Sequence, residues 1–129
     1  MNTISEQLKY ASTHEWVRTE TDGVVSVGIS DFAQAQLGDV VFLELPAPGR
    51  QVRAGEAVAV IESVKTASDI HSPLPGEIVE VNQALKDAPE AINDDSLAAW
   101  LFRLKVVPNA TEWAALLDDT GYARLTENV

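Results

Sequence analysis

Ala57-Val58-Ala59-Val60-Ile61-Glu62-Ser63-Val64-Lys65-Thr66-Ala67-Ser68-Asp69-Ile70 is the stretch whose reading decides the fold. Its first five residues are apolar and partly β-branched, the pattern of a short strand buried on one or both faces. Asp69-Ile70 and the turn residues Ser72-Pro73-Leu74-Pro75-Gly76 bring the chain back. Ser63 to Thr66 is then the reversal of a tight β-hairpin, with Lys65 at its tip. No other lysine lies between Lys9 and Lys86, so this part of the surface offers a modifying enzyme a single amine. Spacing alone makes such a lysine no more than a solvated charge; the residues around it decide otherwise.

Outward from the hairpin the chain reads as short strands separated by frequent turns. Val25, Val27 and Ile29 alternate with Ser26 and Gly28, which predicts a half-buried strand. Ser30 as N-cap and Gly38 as the residue past the C-terminus enclose a short helix over Asp31 to Leu37. Val40 to Leu45 is a strand stopped by Pro46-Ala47-Pro48-Gly49, and Glu77 to Val81 is another. Asn82 to Asp95 is polar, carries Pro89 and predicts a helical turn. Trp100, Phe102, Leu104 and Val106 give a strand with one apolar face. Asn109, with Glu112 three residues on, predicts a capping box for a closing helix striped by Trp113, Leu116 and Leu117 and interrupted at Gly121. The two Pro-containing turns flank the lysine hairpin and hint at a two-halved β unit.

A chain of 129 residues fits one domain spanning 1–129, which on folding buries roughly two-thirds of the surface its unfolded form exposes. Apolar residues make up 46%, and no run approaches the ~18 residues that cross a bilayer. Met1 to Leu8 is polar, without an apolar signal region or arginine-rich transit pattern, so a cytoplasmic protein is the expectation. Net charge is −11, from 20 acidic and nine basic residues, which argues against binding to nucleic acid or to anionic membranes. The absence of cysteine excludes a disulfide framework, a thiolate nucleophile and a cysteine metal site. His14 and His71 have no partner at metal-ligand spacing, so no metal site is expected.

Glu62-Ser63-Val64-Lys65-Thr66-Ala67-Ser68 closely resembles the lipoylation motif of the glycine cleavage system H proteins. The resemblance continues in family order. Leu8-Lys9-Tyr10 with His14-Glu15-Trp16-Val17, then Val27-Gly28-Ile29-Ser30-Asp31-Phe32-Ala33-Gln34, then Leu37-Gly38-Asp39-Val40-Val41-Phe42 through Leu45-Pro46 match successive blocks. Ser72-Pro73, Gly76-Glu77-Ile78 and Val81-Asn82 follow, and about nine-tenths of the chain is covered.

The resemblance implies a mainly β fold, a flattened β-barrel or barrel-sandwich hybrid of two antiparallel sheets with short helices and a C-terminal helix. It implies lipoic acid in amide linkage to Lys65 and a carrier with no catalytic residues of its own. The implied partners are glycine decarboxylase, which loads an aminomethyl group; an aminomethyltransferase, which passes the one-carbon unit on; and dihydrolipoamide dehydrogenase, which reoxidises the arm. A lipoate ligase or lipoyl/octanoyl transferase would attach the group. Glu15 and Asp69 stand where the family places acidic groups lining the cleft that shelters the arm, and Thr13 where some members have a serine hydroxyl. Carboxylates there would keep a carried amine protonated and so protect it. A carrier shared among enzymes is expected to be a monomer. An H-like relay that donates lipoyl groups to other enzymes uses the same attachment sequence and remains the alternative.

Two departures stand out. Phe32 occupies a position where some members have histidine, and Asp94-Asp95-Ser96-Leu97-Ala98-Ala99-Trp100 lacks the family's usual turn glycine, which puts that loop's conformation in doubt. An enzyme using Lys65 as a Schiff-base nucleophile is disfavoured. Such a lysine needs its pKa lowered from ~10.4, whereas Glu62 and Asp69 act in the other direction. Biotinyl and 2-oxo-acid dehydrogenase lipoyl domains place methionines or an aspartate beside the lysine, where this chain has Val64 and Thr66.

Overall fold

A computed structural model of the chain describes residues 8–127. Nine strands form two antiparallel sheets. Six of them, β1 (Leu8–Tyr10), β2 (Glu15–Thr19), β3 (Val24–Ile29), β9 (Phe102–Val106), β8 (Gly76–Val81) and β5 (Gln51–Val52), lie side by side in that order. The second sheet orders β4 (Val40–Glu44), β6 (Ala57–Ser63) and β7 (Ala67–His71). The main core draws on both, with Val27, Ile29, Ile78, Phe102 and Leu104 from the larger sheet and Leu43, Ile61 and Ile70 from the smaller.

The two-sheet architecture matches expectation, but the sheets do not close into a barrel. The Pro-containing turns explain where the ladders break. Pro46 to Gly49 carries the chain from β4 to β5 and Ser72 to Pro75 carries it from β7 to β8, each time from the small sheet to the large one. Proline has no N–H to continue a ladder, so strand pairing stops at both crossings.

Strand β3 differs from the half-buried strand that alternation predicts, because Ser26 and Gly28 are buried as well as the valines. Gly28 faces the fully buried Trp16; a Cβ there would lie 2.5 Å from the indole. Ser26 donates to Glu20 at 2.8 Å and accepts from Arg103 Nε at 3.1 Å. Strand β6 also departs from simple alternation. A register shift between Ala57 and Ala59 buries Val58, Ala59 and Ile61 and turns Val60 partly outward.

Helix α1 (Asp31–Leu37) has the predicted caps: Ser30 Oγ accepts from Ala33 N at 3.1 Å, and Gly38, at φ 81°, donates its N–H to Gln34 O at 3.0 Å. The polar segment after β8 forms two short helices, α2 (Gln83–Asp87) and α3 (Ala91–Asp94), either side of Pro89. The loop that lacks the family glycine needs no left-handed residue, since none of Asp94 to Ala99 has positive φ.

The closing segment overturns the capping-box expectation. Asn109 sits at φ 61°, Thr111–Ala115 is a 3-10 helix without a side-chain cap, and Trp113 is 37% exposed. Leu117 instead exchanges two backbone bonds with Tyr10, at 2.7 and 2.8 Å, which a continuous helix would use internally. Helix α4 (Asp119–Glu127) begins only after it and includes Gly121 in its first turn. It docks by stacking Tyr122 on Tyr10, with centroids 4.2 Å apart and planes 7° from parallel.

Candidate functional site

The β6–β7 hairpin turns through Val64-Lys65-Thr66, as the sequence predicts. Ser63 N donates to Thr66 O at 2.7 Å, and the Ser63 hydroxyl accepts from Lys65 N at 3.2 Å and Thr66 N at 3.1 Å. One short side chain thus satisfies two turn amides that no ladder partner reaches. The tip is also tied to the rest of the molecule: Val64 N donates to Asp39 O at 3.1 Å. Lys65 is exposed. Its aliphatic stem runs past Gly38, where an added Cβ would lie 3.4 Å from Lys65 Cε. Gly38 therefore serves both the left-handed end of α1 and the close passage of this side chain.

Beside the tip lies a cavity of about 450 Å³ between α1, the β1–β2 loop and β7. Thr66 and Leu37, the chain neighbours of Lys65 and Gly38, both line it, so Lys65 stands at one end. Phe32, Ile29 and Ile70 supply apolar wall; Thr13, His14 and Asp69 supply polar groups.

Of the three residues expected to shelter an arm, Thr13 and Asp69 line this cavity and Glu15 does not. Glu15 is 1% exposed and lies beneath it. Thr13 Oγ1 donates a short hydrogen bond to Glu15 Oε1, and His71 N donates to Oε2 at 2.9 Å. The His71 Nδ1 atom lies 3.5 Å from that same oxygen. Burial raises the Glu15 pKa, opposed by the Thr13 and His71 hydrogen bonds. Glu15 is thus a buried anchor for Thr13 rather than a carboxylate open to the cavity.

Sequence reading missed three further participants. His14 lines the cavity with its backbone at φ 79°, its ring 4.9 Å from Phe32, and its Nδ1 2.7 Å from the Tyr122 hydroxyl. Tyr122 reaches it from α4, at the far end of the chain, so no local pattern could have joined them. Asn93 braces the α1–β4 junction that holds the tip, accepting from Val40 N at 2.9 Å.

Comparison with known proteins places the chain in a family. A family model described as Glycine cleavage H-protein matches residues 8–129. The chain belongs to the glycine cleavage H-protein family. Similar relatives include the glycine cleavage system H protein of an Azoarcus species, 59% identical over 123 residues, 95% of this chain and 96% of that one. The H protein of Methylococcus capsulatus is 56% identical over 127 residues, 98% of this chain and 99% of that one. A crystal structure of the H protein from Mycobacterium marinum superposes with a TM-score of 0.85 at 39% identity, covering 95% of this chain and 98% of that one. As an H protein of the glycine cleavage system, the chain is a lipoyl carrier. No helix among the described residues of this H protein is long and apolar enough to cross a membrane.

Proposed function

We propose that Lys65 is the residue of this H protein that carries lipoate, and that the hairpin tip is the fixed base of a swinging arm. The observation that carries this reading is the conjunction of an exposed lysine on a hydrogen-bonded tip with a cavity of about 450 Å³ beginning beside it. The residues present suit the group. The Lys65 stem already lies against Gly38, and the cavity's apolar wall of Phe32, Leu37 and Ile70 matches an alkyl chain.

When bound, lipoate supplies a disulfide that takes up the aminomethyl group of glycine and afterwards carries electrons. The chain's own work is positional. Ser63 and the Asp39–Val64 bond hold the tip, so the arm pivots from a defined point. Phe32 and Ile70 exclude water from one side of the cavity, Asp69 offers a carboxylate to a cationic load, and Glu15 orients the Thr13 hydroxyl from below. The chemistry belongs to the partners: glycine decarboxylase, the aminomethyltransferase, dihydrolipoamide dehydrogenase and the enzyme that acylates Lys65. The chain serves them as one carrier domain in the cytoplasm.

The test is intact mass and peptide mapping after incubation with lipoate, ATP and a lipoate ligase, comparing wild type with Lys65→Arg. One lipoyl adduct, on Lys65 and absent from the variant, is the expected result. An unmodified wild type beside a modified control carrier would refute the assignment.

A further inference from the structure

The hydrogen bonds joining α4 to the cavity have a direction that can be worked out. Tyr122 Oη lies 2.7 Å from His14 Nδ1 and 2.6 Å from Ser30 Oγ, and Ser30 Oγ accepts from Ala33 N at 3.1 Å. Each hydroxyl has one proton to give. If Ser30 donates to Tyr122 and Tyr122 donates to His14, both protons are used. With the polarity reversed, the Ser30 proton, in a residue only 1% exposed, has no acceptor among the described residues. A buried unsatisfied hydroxyl is costly, so the first polarity holds. His14 Nδ1 is then an acceptor, and the ring proton sits on Nε2.

The other polar side chains lining the cavity leave few donors. The Thr13 proton goes to Glu15, Thr66 Oγ1 and Ser68 Oγ point at the Ala67 and Asp69 carbonyls, and Asp69 can only accept when ionised. Gln36, exposed on α1, also lines the cavity and is the remaining side-chain donor there. The His14 ring is fixed on several sides. Its backbone is held at φ 79° by His14 N to Ala11 O at 2.9 Å and Ser30 N to His14 O at 3.0 Å, and its ring meets Tyr122 edge-on at 5.6 Å. Burial lowers its pKa, in keeping with a neutral imidazole.

We propose that Tyr122 is a positioning residue for the arm's cavity: it fixes His14 as the Nε2–H tautomer, so that the cavity presents a hydrogen-bond donor to the acceptor atoms of an acylated lysine. The inference rests on the Lys65 reading for the identity of the arm. The tautomer itself is a property of the unmodified chain.

The test uses Tyr122→Phe, which keeps the stack on Tyr10 and removes only the hydroxyl, and His14→Gly, which suits positive φ and removes the donor. Long-range proton–nitrogen-15 spectra of the unmodified proteins report the tautomer: Nε2–H in wild type, a mixture in Tyr122→Phe. Arm retention is read on the lipoylated, reduced proteins as the rate of alkylation by iodoacetamide; the chain has no cysteine, so every thiol counted is the arm's. Alkylation should accelerate several-fold in each variant, with no further gain in the double variant. A wild-type Nδ1–H tautomer, an unchanged tautomer in Tyr122→Phe, or unchanged alkylation in His14→Gly would overturn the proposal. A missing Lys65 adduct in wild type would sink the carrier assignment instead, and the spectra would still decide the Tyr122–His14 part.

Discussion

The side chain of Asn93 pairs with the backbone of Val40 as a neighbouring strand would, accepting from Val40 N at 2.9 Å and approaching Val40 O with Nδ2 at 3.4 Å. Strand β4 begins there, immediately after the Asp39 carbonyl that holds the hairpin tip. Removing this carboxamide leaves the amide of a buried residue without its partner. Asn93→Ala should lose about 1–3 kcal/mol in urea denaturation and speed hydrogen exchange at Val64 N. A loss within experimental error, with exchange unchanged, would show that water replaces Asn93.

Gly28 has no room for a side chain. Gly28→Ala drives a methyl into the Trp16 indole, whose Nε1 donates to Ser96 O at 2.9 Å. Overpacking of this kind costs about 1–3 kcal/mol or more. The denaturation midpoint should fall, and Trp16 fluorescence should shift as the ring is displaced. A neutral outcome would mean that β2 and β3 separate freely at this pair.

Glu15 has a definite pH signature. Its folded pKa is raised above the ordinary 4.5, mainly by burial, so the folded state holds a proton that the unfolded state has released. Between the unfolded value and the raised folded value the native state binds more protons, and stability falls as pH rises through that window. The contribution is fully present below about 4.5. Glu15→Gln cannot ionise and keeps an acceptor for His71 N. The stability difference between variant and wild type, measured in urea at a series of pH values, should shift in the variant's favour as pH rises above the ordinary value. Parallel curves would mean that Glu15 ionises in the folded state as readily as in the unfolded one.

Ser63→Ala frees the Lys65 and Thr66 amides at the tip. Both face solvent, so the stability cost should stay near 0.5–1 kcal/mol. Lipoylation by a ligase should slow several-fold through kcat/KM, because the lysine is presented by a looser turn. An unchanged kcat/KM would show that the enzyme reshapes the hairpin itself.

The parts legible in the sequence are those whose causes are local. The hairpin around Lys65 is announced by adjacent β-branched and turn residues, and α1 by Ser30 and Gly38, which make their capping bonds within four residues. Where a distant partner decides, sequence reasoning failed. Asn109 and Glu112 have the spacing of a capping box, yet Tyr10 takes the Leu117 backbone and the helix starts later. Glu15 reads as an acid lining a cleft until Thr13 and His71 close over it, and alternation along β3 cannot reveal that Trp16 fills the space at Gly28. For the candidate site, the placement of Lys65 at an exposed hairpin tip was legible, whereas the union of His14 with Tyr122 exists only in three dimensions.

The bond from Val64 to Asp39 separates the tip's amino-acid sequence from its shape. A nascent or denatured chain contains the same heptapeptide, but without α1, the start of β4 and the Asn93 brace its lysine is one flexible amine among others. An acylating enzyme that recognises the turn rather than the residues will therefore act after folding and pass over chains that have not completed it. On the proposed assignment, occupancy of Lys65 would then report that the tip, α1 and the start of β4 have come together.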